Sequence, residues 1–221
     1  MPKTAIILGA TGLTGGILLQ LLIEDPRYSK IILFSRKATG ISHPKVEEHI
    51  VDLLILSDHQ DKFIADEVFC CIGTTKAKTP DKNLYHKIDY GIPVSVAQLC
   101  KANNIPTYIV VSALGANPNS SVFYNRTKGE MERDVLQCQI PKTHLLQPSL
   151  IGGQRTEKRP GEYFFKQLMK VINPLLIGGL KKYQTIVPET IVLAMIWLAN
   201  HEFADRIIIS DHIKEIAQKQ E

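Results

Sequence analysis

Tyr124 and Lys128 stand four residues apart in the stretch YNRTK, so on a helix a phenol and an ammonium share one face. A free tyrosine holds its proton up to a pH of about 10, too tightly for easy exchange at neutrality. A cation beside it favours the phenolate and lowers that value. So tuned, Tyr124 could protonate a carbonyl oxygen as hydride reaches its carbon, while Ser112, at the end of a strand-like run, hydrogen-bonds the same oxygen. Lys128 would also hold a ribose of the hydride donor. Taken alone, tyrosine–lysine pairs at this spacing are usually surface packing. This pair gains weight from Ser112 and from a second constellation far upstream.

That constellation is AIILGATGLTGG, residues 5–16, with glycine at 9, 12, 15 and 16 between two apolar runs. Glycine loses more freedom on folding than any other residue, so such a cluster answers a steric demand. A helix N-terminus following a strand offers unpaired N–H groups and partial positive charge, which suits a pyrophosphate. On this reading Gly9 makes the tight turn, Gly12 lets the phosphates approach and Gly15 lets helix and strand pack, with Thr11, Leu13 and Thr14 completing the cradle. The spacing is G-x-x-G-x-x-G rather than the common dinucleotide G-x-G-x-x-G, and a tight crossing without ligand is the bland alternative. The second strand ends in Phe34-Ser35-Arg36-Lys37, where an acidic residue would bond the ribose 2′-hydroxyl of NAD(H). Ser35 and Arg36 suit a 2′-phosphate instead, so NADP(H) is the expected cofactor and NAD(H) the second choice. Asp52, followed by Leu53, could bond the adenine amino group or cap a turn. After the fourth strand, Cys71, Ile72, Gly73 and Thr74 fall where backbone would pass the nicotinamide-side ribose, with Lys76 and Lys78 nearby.

The elements that position these residues alternate. Apolar runs at 5–8, 30–36, 49–53, 67–73, 107–115 and 143–148 read as strands, with a last one at 206–210. Helical spacing marks the stretch from Leu13 to Leu22, then 90–103, 121–137 with Ser121 as N-cap, and 190–200. The expected fold is α/β, a doubly wound, mostly parallel sheet with helices on both faces. Residues 1–221 read as one nucleotide-binding domain, in which 151–190 form a small lobe over the carboxyl ends of the strands. Gly152, Gly153 and Arg155–Glu162 would cover the substrate, with Arg159 the residue to test there.

Composition is that of an ordinary globular protein: 44% hydrophobic, 22% charged, net charge +4. The cations are scattered, so no nucleic-acid surface is expected. Four cysteines without a C-x-x-C pair point to reduced thiols, and histidines lie too far apart for a metal site. The start MPKTAIILGA lacks the pattern of a signal peptide, and no apolar window is long enough for a membrane helix, so a cytoplasmic location without integral membrane association is expected.

GATGLTGG, Ser112, YNRTK and the overall length resemble the atypical short-chain dehydrogenases/reductases. Within them, CCIGTTKAK, YNRTKGEME and RPGEYF are similar to the Tat-interactive-protein oxidoreductase family and its bacterial relatives, over Ile6 to about Ala194. The resemblance implies a Rossmann-type fold, bound NADPH and a Ser112–Tyr124–Lys128 triad, with cofactor contacts at Gly9, Gly12, Gly15 and Arg36. One departure concerns the helix after strand four, where the better-understood enzymes carry an asparagine and this chain offers Asp89. A second is the short segment after residue 150, which leaves little to enclose a large substrate. The expected activity is NADPH-dependent reduction of a small-molecule carbonyl. The alternatives are an NADP(H) sensor that signals to a protein partner without turnover, and an epimerase or dehydratase.

Overall fold

The computed structural model describes residues 2–152, 176 and 178–220. Seven strands, β1 (Lys3–Leu8), β2 (Tyr28–Ser35), β3 (Val46–Ile50), β4 (Glu67–Cys70), β5 (Thr107–Val111), β6 (Lys142–Gln147) and β7 (Ile207–Ile209), form one sheet in the order β3-β2-β1-β4-β5-β6-β7. Every pairing is parallel. Strands covered on both faces must be apolar on both, and alternate residues supply the two layers. Ala5, Ile7, Ile31, Leu33, Phe69 and Ile109 face a layer built from α1 (Leu13–Glu24), α5 (Pro188–Asn200) and α6 (Ser210–Ala217). Ile6, Leu8, Ile32, Phe34, Val68, Tyr108 and Val110 face the layer containing α3 (Ile92–Ala102) and α4 (Phe123–Gln137). The order reverses between β1 and β4, and the crevice outside the carboxyl ends of such a switch point is where ligands sit.

Several boundaries move from the sequence expectation. The third strand spans 46–50 rather than 49–53, and 53–62 form a kinked 3₁₀ stretch. The helix expected at 90–103 is the last part of a longer array: α2 (Lys82–His86), a π-helical turn at Lys87–Gly91, then α3. Ser121 does not cap α4: Val122 is the N-cap and makes no side-chain capping bond. The neighbouring Ser120 hydroxyl instead accepts the Val122 N–H. The last strand gives way at Ser210 to α6, which buries Ile213, Ile216 and Ala217. Gly153, Arg155–Glu162 and Arg159 lie outside the described residues. Of the expected lobe, Gly178–Tyr183 form a 3₁₀ turn and Ile151 bridges to Ile186.

Candidate active site

The glycine loop joins β1 to α1. Gly9 has φ +89°, and a side chain there would stand 2.9 Å from the main chain of Cys71 at the end of β4. A methyl at Gly15 would fall 2.2 Å from the Gly9 carbonyl oxygen, so the first turn of α1 rests directly on the loop. The N-cap, Gly12, supplies no capping side chain, and the first turn holds no acidic residue. The N–H groups that open a helix lack intrahelical partners, so this turn is left suited to an anion. Thr11 is exposed at its tip, with Leu13 and Thr14 half-buried beside it. These features fit a dinucleotide pyrophosphate.

Next along the carboxyl edge, Arg36, Ile50, Val51 and Asp52 line an open hollow of about 470 Å³ beyond β2 and β3. Arg36 is exposed there, as an adenosine phosphate ligand must be. Two expected contacts change. The Ser35 hydroxyl is buried and donates to the Lys37 carbonyl at 2.8 Å, with Glu48 Oε1 at 3.2 Å, so it is already engaged. Leu53 is buried in the core, which leaves its main chain as the part that could meet a ligand. Asp52 accepts the Leu54 N–H at 2.9 Å, which is the turn cap, while also lining the hollow.

The loop after β4 is tied from below. Asp89, on the π turn, accepts the Thr74 N–H at 2.7 Å through Oδ2. Thr74 Oγ1 pairs with Thr79 Oγ1 at 2.8 Å. Gly73 is exposed, Ile72 packs on the core, and Cys71 is half-buried. Burial pushes the Cys71 thiol up, out of range for nucleophilic work.

On α4, Tyr124, Lys128 and Glu132 follow at four-residue intervals and line one face. Tyr124 is 40% exposed at the open end, and Lys128 is 3% exposed beneath it. Lys128 Nζ lies 3.0 Å from Asp89 Oδ1. Burial, the largest single influence, works against the ammonium, but Asp89 and Tyr124 together more than offset it and hold Lys128 above the usual lysine value. Tyr124 interacts electrostatically with Lys128 and with Tyr85, whose own phenol is held protonated by burial and by Asp89. Gly129, next to Lys128, is there because a side chain would meet Asn117 and Pro118 at 2.2 Å: the loop after β5 lies flat on α4.

Ser112 bonds to the helix that carries Tyr124. Its buried hydroxyl donates to Glu132, two helical turns from Tyr124, and the Gln147 amide donates to both Glu132 oxygens at 3.0 and 2.9 Å. Burial raises Glu132, with Ser112 and Gln147 partly opposing. Glu132, Gln147 and Tyr85 are site neighbours that the sequence reading missed. Only Glu132 left a signal, its eight-residue spacing from Tyr124. The structure thus assembles Lys128 and Asp89 with the loop at 73–74 beneath Tyr124, and bonds Ser112 to Glu132 on the same helix.

Comparison with known proteins agrees with this architecture. The family model described as the semialdehyde dehydrogenase NAD-binding domain matches residues 4–96. Protein HTATIP2 of Rattus norvegicus is 30% identical over 169 residues, 75% of this chain and 69% of that protein. Protein FMP52, mitochondrial, of Meyerozyma guilliermondii is 34% identical over 174 residues, 76% of this chain and 72% of that protein. Among solved structures, Bordetella bronchiseptica WbmG in complex with NAD superposes with a TM-score of 0.72 at 12% identity, covering 99% of this chain and 77% of that one. UDP-glucose 4-epimerase of Thermotoga maritima gives 0.70 at 13%, covering 98% and 82%. At such identities the likeness is one of fold. From the two curated relatives, the glycine loop and the YNRTK helix together, the chain belongs to the HTATIP2 and FMP52 family of NAD(P)-binding atypical short-chain dehydrogenases/reductases.

Proposed function

We propose that the protein is an NADP(H)-dependent oxidoreductase that reduces a carbonyl of a small molecule, with Tyr124 as the proton donor. The observation that carries this reading is the exposed Tyr124 phenol at the carboxyl edge of the sheet, above a buried Lys128 that is ion-paired to the acid tethering the loop after β4. The open first turn of α1 would hold the pyrophosphate, and Arg36, beside the hollow lined by Asp52, would pair with a 2′-phosphate. The nicotinamide, when bound, would supply the hydride. Tyr124 would donate its proton to the substrate oxygen, and Lys128 would hold the phenol in place and bond the ribose. Ser112 is the third member of the expected triad; its hydroxyl donates to Glu132 in this structure and would have to turn to the substrate oxygen to act.

The test is a screen of small aldehydes and ketones for NADPH oxidation, followed by Tyr124→Phe. Turnover in the variant is expected to fall at least about 100-fold, with NADPH affinity within about threefold by fluorescence titration. Undiminished turnover removes Tyr124 from the chemistry. The epimerase reading is kept because a solved epimerase shares the fold; product without net NADPH consumption would support it. NADPH binding with neither outcome would support the sensor. The same reading places the protein in the cytoplasm, with four free thiols as support. The FMP52 relative is named mitochondrial, so cell fractionation is the check.

A further inference from the structure

We propose that Glu132 is the positioning residue of Ser112 and sets the direction of its hydrogen bond. As a carboxylate it takes the Ser112 hydroxyl hydrogen; as a carboxylic acid it gives one to Ser112 Oγ and leaves the serine hydrogen to the substrate oxygen. The proposal deepens the reductase reading and rests on it for the contact between Ser112 and that oxygen. A hydroxyl has one hydrogen and two lone pairs. While Ser112 spends the hydrogen on Glu132, it can only accept a further bond, and a carbonyl oxygen has no hydrogen to offer.

The geometry permits the reversal without moving a heavy atom. Ser112 follows β5, and its N–H is bonded to the Leu146 carbonyl of β6 at 2.7 Å, so the sheet fixes the serine backbone. Ser112 Oγ bonds to Glu132 Oε1. The Gln147 amide nitrogen lies 3.0 Å from Oε1 and 2.9 Å from Oε2. A solvent proton added at Oε1 turns the bond to Ser112 around, while Oε2 keeps its bond from Gln147. The hydroxyl hydrogen alone has to rotate. Ser112 and Glu132 are each 5% exposed and Gln147 is 8% exposed, so each bond of the chain counts for more than it would in water.

The partners of Glu132 leave both of its states open. A buried carboxylate that stays ionised is paired with a cation, as Asp89 is with Lys128 at 3.0 Å. Glu132 bonds instead to two neutral groups, a hydroxyl of the strand end after β5 and an amide of β6. Burial raises its affinity for a proton, against the bonds from Ser112 and Gln147 and the charge of Lys128 one turn earlier on α4. That charge is itself offset by Asp89 of the π turn.

The test follows the cluster by NMR against pH, without cofactor or substrate, in protein carrying ¹³C at glutamate Cδ and serine Cβ. Glu132→Gln and Ser112→Ala assign the two resonances. In the native protein both are expected to shift with one shared midpoint, above the ordinary glutamate value of about 4.3. The amide of Glu132→Gln can donate to Ser112 and accept from Gln147, so there the Ser112 resonance should stop titrating and rest at its acid position. A Glu132 midpoint at or below the ordinary value overturns the proposal. So does a serine resonance that ignores that midpoint, or one that rests at its alkaline position in Glu132→Gln. Should the variant not fold, sequential assignment of the native protein identifies both resonances, and their shared midpoint decides. With a carbonyl found in the screen, native kcat should fall as pH rises through the midpoint. Glu132→Gln should lose that limb and keep the acid-side kcat within about threefold. A merely structural Glu132 would lower stability and leave the limb in place. Because the titration needs no carbonyl, an empty screen counts against the reductase reading and leaves the titration to judge Glu132.

Discussion

Among the described residues an ammonium, a phenol and a carboxylate come together at each end of the sheet. At the amino end Lys3, Tyr28 and Glu67 meet where β1, β2 and β4 begin; at the carboxyl end Lys128, Tyr124 and Asp89 meet beside α4. The first cluster is closed. Lys3 donates to Glu67 and to Asn200 Oδ1, the Tyr28 hydroxyl donates to Glu67, and the Asn200 amide donates to Tyr28 at 2.9 Å. Tyr28 is fully buried, and burial together with Glu67 holds its phenol far above the tyrosine norm. In the second cluster the tyrosine is 40% exposed and meets solvent. The same three groups are a closed fastening at the amino end, while at the carboxyl end they lie at the edge where ligands sit in such sheets.

The sharpest way to break this contrast is to cut the closed cluster. Glu67→Ala leaves the Tyr28 hydroxyl and the Lys3 ammonium without their acid and should cost about 3 kcal/mol of stability in urea denaturation. NADPH affinity should stay within twofold, and a matching loss of affinity would show that the two ends are not separate. A smaller effect is expected at the rim of the open end. Arg36→Ala should weaken NADPH binding by about tenfold, the loss of one charge-assisted hydrogen bond, and leave NADH unaffected by calorimetry. Equal losses for both nucleotides would remove the 2′-phosphate from the account.

The smallest expected effect concerns pH. His144, buried on β6, donates from Nδ1 to the Asp205 carbonyl, and burial lowers its affinity for a second proton. The unfolded chain takes up that proton below a pH of about 6.5 while the native ring resists it, so stability should fall as pH drops through that value. Urea midpoints at neutral and mildly acidic pH measure the slope, and His144→Asn should flatten it. A slope unchanged in that variant assigns the effect to other groups.

Much of the architecture was legible because strands buried on both faces must be apolar throughout, as AIIL and TYIVV are. The glycine loop was legible for a steric reason that the Gly9 and Gly15 contacts bear out. The partner of Ser112 was not legible: it continues the parity of Tyr108 and Val110, which face the α3–α4 layer, and so meets Glu132. Ser35 was misjudged similarly, since nothing local announces that Glu48 on the next strand stands within reach. The closed cluster was invisible for the same cause: Lys3, Tyr28 and Glu67 become neighbours only once the sheet sets its order. The final helix was overlooked although Ile213, Ile216 and Ala217 have its spacing, because the preceding isoleucines read as strand through Ser210.

Gly129 has a consequence for how this family could vary. With the Asn117–Pro118 backbone seated against the bare face of α4, the loop after β5 and the helix have almost no slack between them. Change on that side must come from exchanging side chains rather than from shifting the loop.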